Sequence, residues 1–161
     1  MLKHKLLKEL RKRFEKDQKF GLKIKLNYRN SKKFTEIAKD NSSWLENKIN
    51  KIGWLSSDIV GKDGECYAWL IVQHSDFNVI FQEKCLKLIK KLPFTKERRG
   101  HIAYLTDRIL VNKGKKQIYG TQFREDGVCP IKNKKELEKR RKMMGLGSFK
   151  KYHKLMKKIN D

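Results

Sequence analysis

The sequence sets short strings of polar residues inside apolar runs, and each string needs partners if the fold buries it. Gln73-His74-Ser75-Asp76 follows the apolar run Tyr67-Ala68-Trp69-Leu70-Ile71-Val72. Asp107-Arg108 lies within Ile102-Ala103-Tyr104-Leu105-Thr106-Asp107-Arg108-Ile109-Leu110-Val111, and Gly120-Thr121-Gln122 ends Gln117-Ile118-Tyr119. Taking His, Asp, Arg and Gln out of water is costly unless each is hydrogen-bonded. A fold that gathers these strings either builds a stabilising polar network or holds a reactive site. The letters alone leave both open.

The chain can build a core to bury them. Its 161 residues fit a single domain spanning 1–161, and a 38% apolar share with three Trp, eight Phe and five Tyr opposes wholesale disorder. The longest apolar run, Tyr67 to Val72, is far short of the roughly 20 residues a membrane helix needs. The basic N-terminus is broken by Glu9, Glu15 and Asp17 and has no apolar signal core, so a cytoplasmic protein with no membrane partner is expected. Cys66, Cys85 and Cys129 are far apart and form no CxxC pair, so neither a disulfide nor a zinc framework is suggested, and Cys66 and Cys85, in apolar helical contexts, read as small buried hydrophobes.

Net charge is +23, which invites a nucleic-acid partner through phosphate neutralisation. The 32 Lys outnumber the 9 Arg, and they are spread along the whole length rather than gathered in one block. Such a bias also arises from AT-rich coding, and Arg is the better bidentate reader of phosphate and base. The charge therefore reads two ways, as composition or as attraction to polyanions.

Periodicity predicts a mainly α (α+β) fold, a single-domain helical bundle with a small β-hairpin near residues 116–131. Residues 2–20 read as an amphipathic helix on Leu2, Leu6, Leu7, Leu10 and Phe14. Leu22 to Leu26 alternates like a strand, and a short helix follows around Phe34 and Ile37. Asn41-Ser42-Ser43 offers N-caps for a helix carrying Trp44, Leu45, Ile49 and Ile52, which Gly53 ends. After a turn at Gly61 and Gly64, a buried helix spans about 65–74. Asp76 caps the next helix, with Phe77, Ile80, Phe81, Leu88, Ile89 and Leu92 inward until Pro93. Residues 94–100 read as a charged loop, 101–111 as a helix, and 116–123 with 128–131 as the hairpin strands. Two basic helices, 136–143 and 148–159, close the chain around Gly145-Leu146-Gly147.

The order Asp17-Gln18, Ile52-Gly53-Trp54, Val60-Gly61, Gln73-His74-Ser75-Asp76, Ala103-Tyr104-Leu105-Thr106-Asp107-Arg108, Gly114-Lys115, Gln117-Ile118-Tyr119-Gly120-Thr121-Gln122 and Arg140-Arg141…Gly145-Leu146 resembles one bacterial family. It is the domain-of-unknown-function family 6624, and the resemblance spans nearly the whole chain. The chain departs from it at Gly21-Leu22, where an Arg is expected soon after Asp17-Gln18. The resemblance implies one unified domain and brings no activity with it.

Among the candidates, His74 is the natural acid or base, because histidine exchanges a proton near neutral pH. Asp76 would orient its ring, and Gln73 would bind substrate beside it. Asp107 could act as a base, or pair structurally with Arg140 or Arg141. Arg108, in a stripe with Tyr104 and His101, suits a bidentate phosphate or carboxylate clamp. Thr121 and Gln122 offer a hydroxyl and a carboxamide to orient a polar ligand, and Gly120 allows close backbone approach. Each has a structural counterpart: a buried His satisfied by a carbonyl, a fold-holding salt bridge, a stabilised bulge. Asp17-Gln18 and Trp54 read as structural.

No phosphate loop, dinucleotide fingerprint, HExxH or GxSxG occurs, and His4, His74, His101 and His153 lack metal-ligand spacing. The expectation is a metal-independent, cofactor-free hydrolase or transferase acting on a phosphate-bearing or nucleotide-like ligand. The alternative is a basic binding module for nucleic acid or an acidic protein. A third reading makes the polar strings purely architectural.

Overall fold

The computed structural model describes residues 2–21, 32–124 and 126–160. It is mainly α-helical with one small antiparallel hairpin, as the periodicity predicts. The helices are α1 (Leu2–Gly21), α2 (Lys32–Ile52), α3 (Ser57–Gln73), α4 (Val79–Lys90), α5 (Lys96–Asn112), α6 (Leu137–Met143) and α7 (Phe149–Asn160). Strands β1 (Phe123–Arg124) and β2 (Gly127–Val128) lie between α5 and α6. Chain contacts divide it into two compact units, residues 1–81 and 82–161, with the boundary in the first turn of α4. The expected strand at Leu22 to Leu26 falls outside the described residues.

In the first unit α1, α2 and α3 pack on one another. The apolar spacing explains which faces meet: Leu6 and Leu10 on α1, Phe34, Ile37, Leu45 and Ile49 on α2, and Val60, Ala68, Ile71 and Val72 on α3 are buried. Phe14 of α1 stacks on Tyr67 of α3 with ring centroids 4.4 Å apart. Gly64 leaves room for Val60 of its own helix, whose Cβ would lie 2.7 Å from an added Cβ, and for a Leu7 methyl of α1 at 3.1 Å. Gly61, at φ +77°, is a non-helical kink inside α3, so the turn expected there is present and divides a short opening turn at Ser57 from the segment that runs on to Gln73. Buried Glu65 receives the Trp54 indole N–H at 3.2 Å and the Ser57 backbone N–H at 2.7 Å, which fixes the start of α3.

Two expectations are corrected here. Asn41-Ser42-Ser43 is not a cap, because α2 runs through it without a break. Asn41 and Ser42 are buried there, and Asn41 Oδ1 accepts from the Arg13 guanidinium at 3.1 Å, so its side chain serves α1 instead. The cap of α4 is Asn78 in place of Asp76: the helix starts at Val79, and Asn78 Oδ1 accepts from Phe81 N–H at 3.1 Å. With the helix starting at Val79, Phe77 and Ile80 are exposed, and the inward row is Phe81, Cys85 and Ile89.

In the second unit α5 starts at Lys96, five residues before the expected start, because Thr95 Oγ1 caps Arg98 N–H. Asn112 of α5 donates to Gln82 of α4 at 3.2 Å, and Lys113 pairs with Glu83 at 2.7 Å. The hairpin pairs Phe123 with Val128 and Arg124 with Gly127. Residues 116–122 are not a strand; Gln117 alone makes a single bridge, to Ile131. The reason is the destination of their backbone groups, which belongs to the site.

Candidate functional site

The polar strings resolve into two constructions, one in each unit. In the first, His74 caps the C-terminus of α3, where its backbone N–H reaches Leu70 O at 3.1 Å. Its ring Nδ1 lies 2.9 Å from each carboxylate oxygen of Asp17, near the end of α1. Asp17 is buried, and Gln18 Nε2 donates to its Oδ2 at 3.0 Å. A carboxylate can only accept, so the contact requires the proton on Nδ1, and in the neutral ring the lone pair then lies on Nε2. Phe34 of α2 stands edge-on to the imidazole, with centroids 5.5 Å apart, and limits its rotation. The preceding residue, Gln73, is buried, and its Nε2 has no hydrogen-bond partner among the described residues. An unmet buried donor costs about 1–3 kcal/mol, and a ligand oxygen would relieve it.

The second construction surrounds Asp107, whose carboxylate is completely buried. Its Oδ1 accepts the backbone N–H of Ile118 at 2.7 Å and of Tyr119 at 3.0 Å. Its Oδ2 accepts Thr121 N–H and Thr121 Oγ1–H, each at 3.0 Å. Burial pushes the Asp107 carboxyl above the ordinary carboxylate range, opposed by these donors. On the carbonyl side of the same loop, Arg140 Nε donates to Ile118 O at 2.8 Å and Arg141 Nη1 to Tyr119 O at 2.7 Å. Asp107 and the two arginines thus act on one loop, bonding it by its N–H groups and by its carbonyls respectively.

Gln117 completes the staple. Its Nε2 donates to Gln122 O and Cys129 O at 3.0 and 2.8 Å, and its Oε1 accepts Gln122 N–H at 2.9 Å. Gly120, at φ +66°, lets the loop turn, and a Cβ there would stand 2.9 Å from the Phe149 ring. That ring belongs to α7, which also sends Tyr152 Oη to Thr121 O at 3.2 Å. The Arg141 guanidinium lies 5.7 Å from the Phe149 centroid and 5.2 Å from that of Tyr152. Burial lowers the Arg141 pKa and raises that of the Tyr152 phenol, the latter reinforced by Tyr104.

The sequence candidates fall accordingly. Gln73, His74 and Asp76 belong to the first unit, and the carboxylate on the His74 ring is Asp17, while Asp76 is exposed in the turn beyond. Asp107, Arg108, Thr121 and Gln122 come together in the second. Arg108 Nη1 donates to Gln122 Oε1 at 3.1 Å, and Gln122 Nε2 donates to Thr121 Oγ1 at 3.0 Å. Asp107, Thr121 and Gln122 are thereby engaged with the loop and its neighbours. Sequence reading passed over Asp17 as a site residue; its signal was the Asp17-Gln18 pair closing a helix that is otherwise amphipathic. Among the described residues no three His, Cys, Asp or Glu side chains cluster so as to hold a metal ion.

Together these features define a small, mainly helical protein with a carboxylate–imidazole pair in one unit and a side-chain-stapled loop in the other. The chain belongs to the family of unknown function DUF6624, whose model matches residues 28–160. Asp17 and Gln18 precede that matched stretch. No curated protein and no solved structure matches the chain. Among the described residues no helix is long and apolar enough to cross a membrane.

Proposed function

We propose that this is a cytoplasmic, metal-independent enzyme, a hydrolase or transferase, that performs general acid–base chemistry at His74 on a phosphate-bearing or nucleotide-like substrate. The observation that carries the reading is the 2.9 Å contact between Asp17 and His74 Nδ1. A carboxylate there fixes the imidazole tautomer and stabilises the imidazolium formed when Nε2 takes a proton. Gln73, the residue before His74, supports it as a buried donor whose unmet Nε2 is suited to a substrate oxygen. The phosphate class follows from the net charge of +23, which raises the local concentration of anionic ligands. Asp107 takes no chemical part in this reading.

The test is a screen of nucleotides and sugar phosphates by thermal shift, followed by turnover of the stabilising compounds. His74→Asn is the informative variant, because its carboxamide N–H can still donate to Asp17 while the base is gone. Turnover falls about 10²–10⁴-fold while the fold persists. Asp17→Asn lowers turnover about 10²-fold or more by releasing the tautomer. Undiminished turnover in His74→Asn would remove the proposal.

A further inference from the structure

The stretch that closes α4 and opens α5 carries a feature the acid–base reading does not use. Phe94 is 60% exposed, and Met143 at the end of α6 is 66% exposed. Arg99 joins them. Its guanidinium carbon lies 5.9 Å from the Phe94 ring centroid, and its Nη1 reaches Met143 O at 3.5 Å. The Nε of Arg99 is buried without a hydrogen-bond partner. A Cβ built at Gly145 would lie 4.0 Å from both Arg99 Cζ and Lys96 Cγ, so Lys96 borders the same spot. Lys90, Lys91, Lys96 and Lys142 are exposed around it in sequence, against the two acids Glu97 and Glu138.

We infer that Phe94, Arg99 and Met143 form a docking platform for single-stranded nucleic acid, on which an unpaired base stacks against Phe94 while Lys96, Lys142 and Arg99 meet the flanking phosphates. An exposed aromatic ring costs solubility unless something covers it. Here cationic side chains outnumber acidic ones around the ring, so an acidic partner with flat apolar faces is the complement. Single strands offer both properties in one repeating unit. Duplexes hide their base faces, and an acidic peptide supplies charge without obligatory stacking. Arg99 beside the ring adds a planar cation that stacks equally well on a base. The platform is distinct from His74 and does not depend on its chemistry.

Fluorescence anisotropy with a labelled oligouridine and a duplex of equal length, at low and near-physiological salt, tests this on the full chain. The single strand binds more tightly than the duplex, and both weaken with salt. Phe94→Ala weakens the single strand roughly five- to 150-fold, the span supplied by stacking on one aromatic ring. It leaves the duplex unchanged. Phe94→Trp restores the affinity, whereas Ile80→Ala, which removes another exposed apolar side chain, changes nothing. Equal affinity for the duplex, unchanged binding by Phe94→Ala, or no binding at either salt overturns the platform. Preference for an acidic peptide or anionic vesicles over oligouridine overturns it as well.

Discussion

The His74 end of α3 and the loop held by Asp107 look alike as sequence, yet their polar groups go to different kinds of partner. Around Asp107 the partners are mainly backbone: N–H groups of Ile118, Tyr119 and Thr121 on one side, with carbonyls of Ile118 and Tyr119 taken by Arg140 and Arg141. Around His74 the partner is another side chain, Asp17, and the adjoining Gln73 keeps an unmet buried donor. A carboxylate that replaces the bonds a strand would have made is a structural part. A carboxylate that fixes one nitrogen of an imidazole prepares the other for proton transfer. Under the proposed function, buried polarity marks both uses, and the identity of the partner distinguishes them.

The largest expected effect falls on the architectural side. Asp107→Ala strands three backbone N–H groups and the Thr121 hydroxyl, and urea unfolding should show a loss of about 3–5 kcal/mol. A loss below about 1 kcal/mol would mean that the loop does not rely on its staple, and the contrast between the regions would dissolve. Gly120→Ala comes next. It forces a side chain into positive φ and a Cβ to 2.9 Å from Phe149, costing about 2–3 kcal/mol by the same measurement. If Tyr152 fluorescence showed α7 still seated and stability unchanged, the loop's grip on α7 would need another origin.

The smallest effect sharpens the comparison from outside both regions. Glu83 and Lys113 form an exposed pair at 2.7 Å, and the Lys113 ammonium lowers the Glu83 carboxyl. Because the folded value is depressed, any stabilisation is present above the unfolded carboxylate range and lost as pH falls through the folded value. Glu83→Gln should barely shift the urea midpoint at neutral pH, and added salt should erase what shift there is. A large, salt-resistant effect would show that surface charge carries more of this fold than its buried networks do.

The parts of the fold governed by local periodicity were legible in the sequence. Leu6 and Leu10, or Phe34, Ile37, Leu45 and Ile49, repeat at helical spacing and are buried as that spacing requires. Gly53, at φ +77°, ends α2 as its position suggests. What escaped depends on partners far away along the chain. Asn41 resembles a cap until Arg13 of α1 is seen to take its carboxamide. Residues 117–122 alternate like a strand, but their N–H groups turn to Asp107, and such side-chain-to-backbone bonds leave no periodic trace. Phe77 reads as core only if α4 extends backwards, whereas Asn78 starts it later, and Ile80 is exposed within the first turn. The Asp17–His74 pair joins residues 57 apart, a separation to which no spacing rule applies.

The most direct measurement pairs the two regions in matched amide variants, His74→Asn and Asp107→Asn, each followed by urea unfolding and by turnover of a substrate found in the ligand screen. His74→Asn should unfold within about 1 kcal/mol of the parent and lose turnover, while Asp107→Asn should lose several times that stability and keep turnover in whatever fraction stays folded. If His74→Asn unfolds as readily as Asp107→Asn, or if it turns over substrate at the parental rate, the imidazole is another structural part and the distinction between the two regions fails.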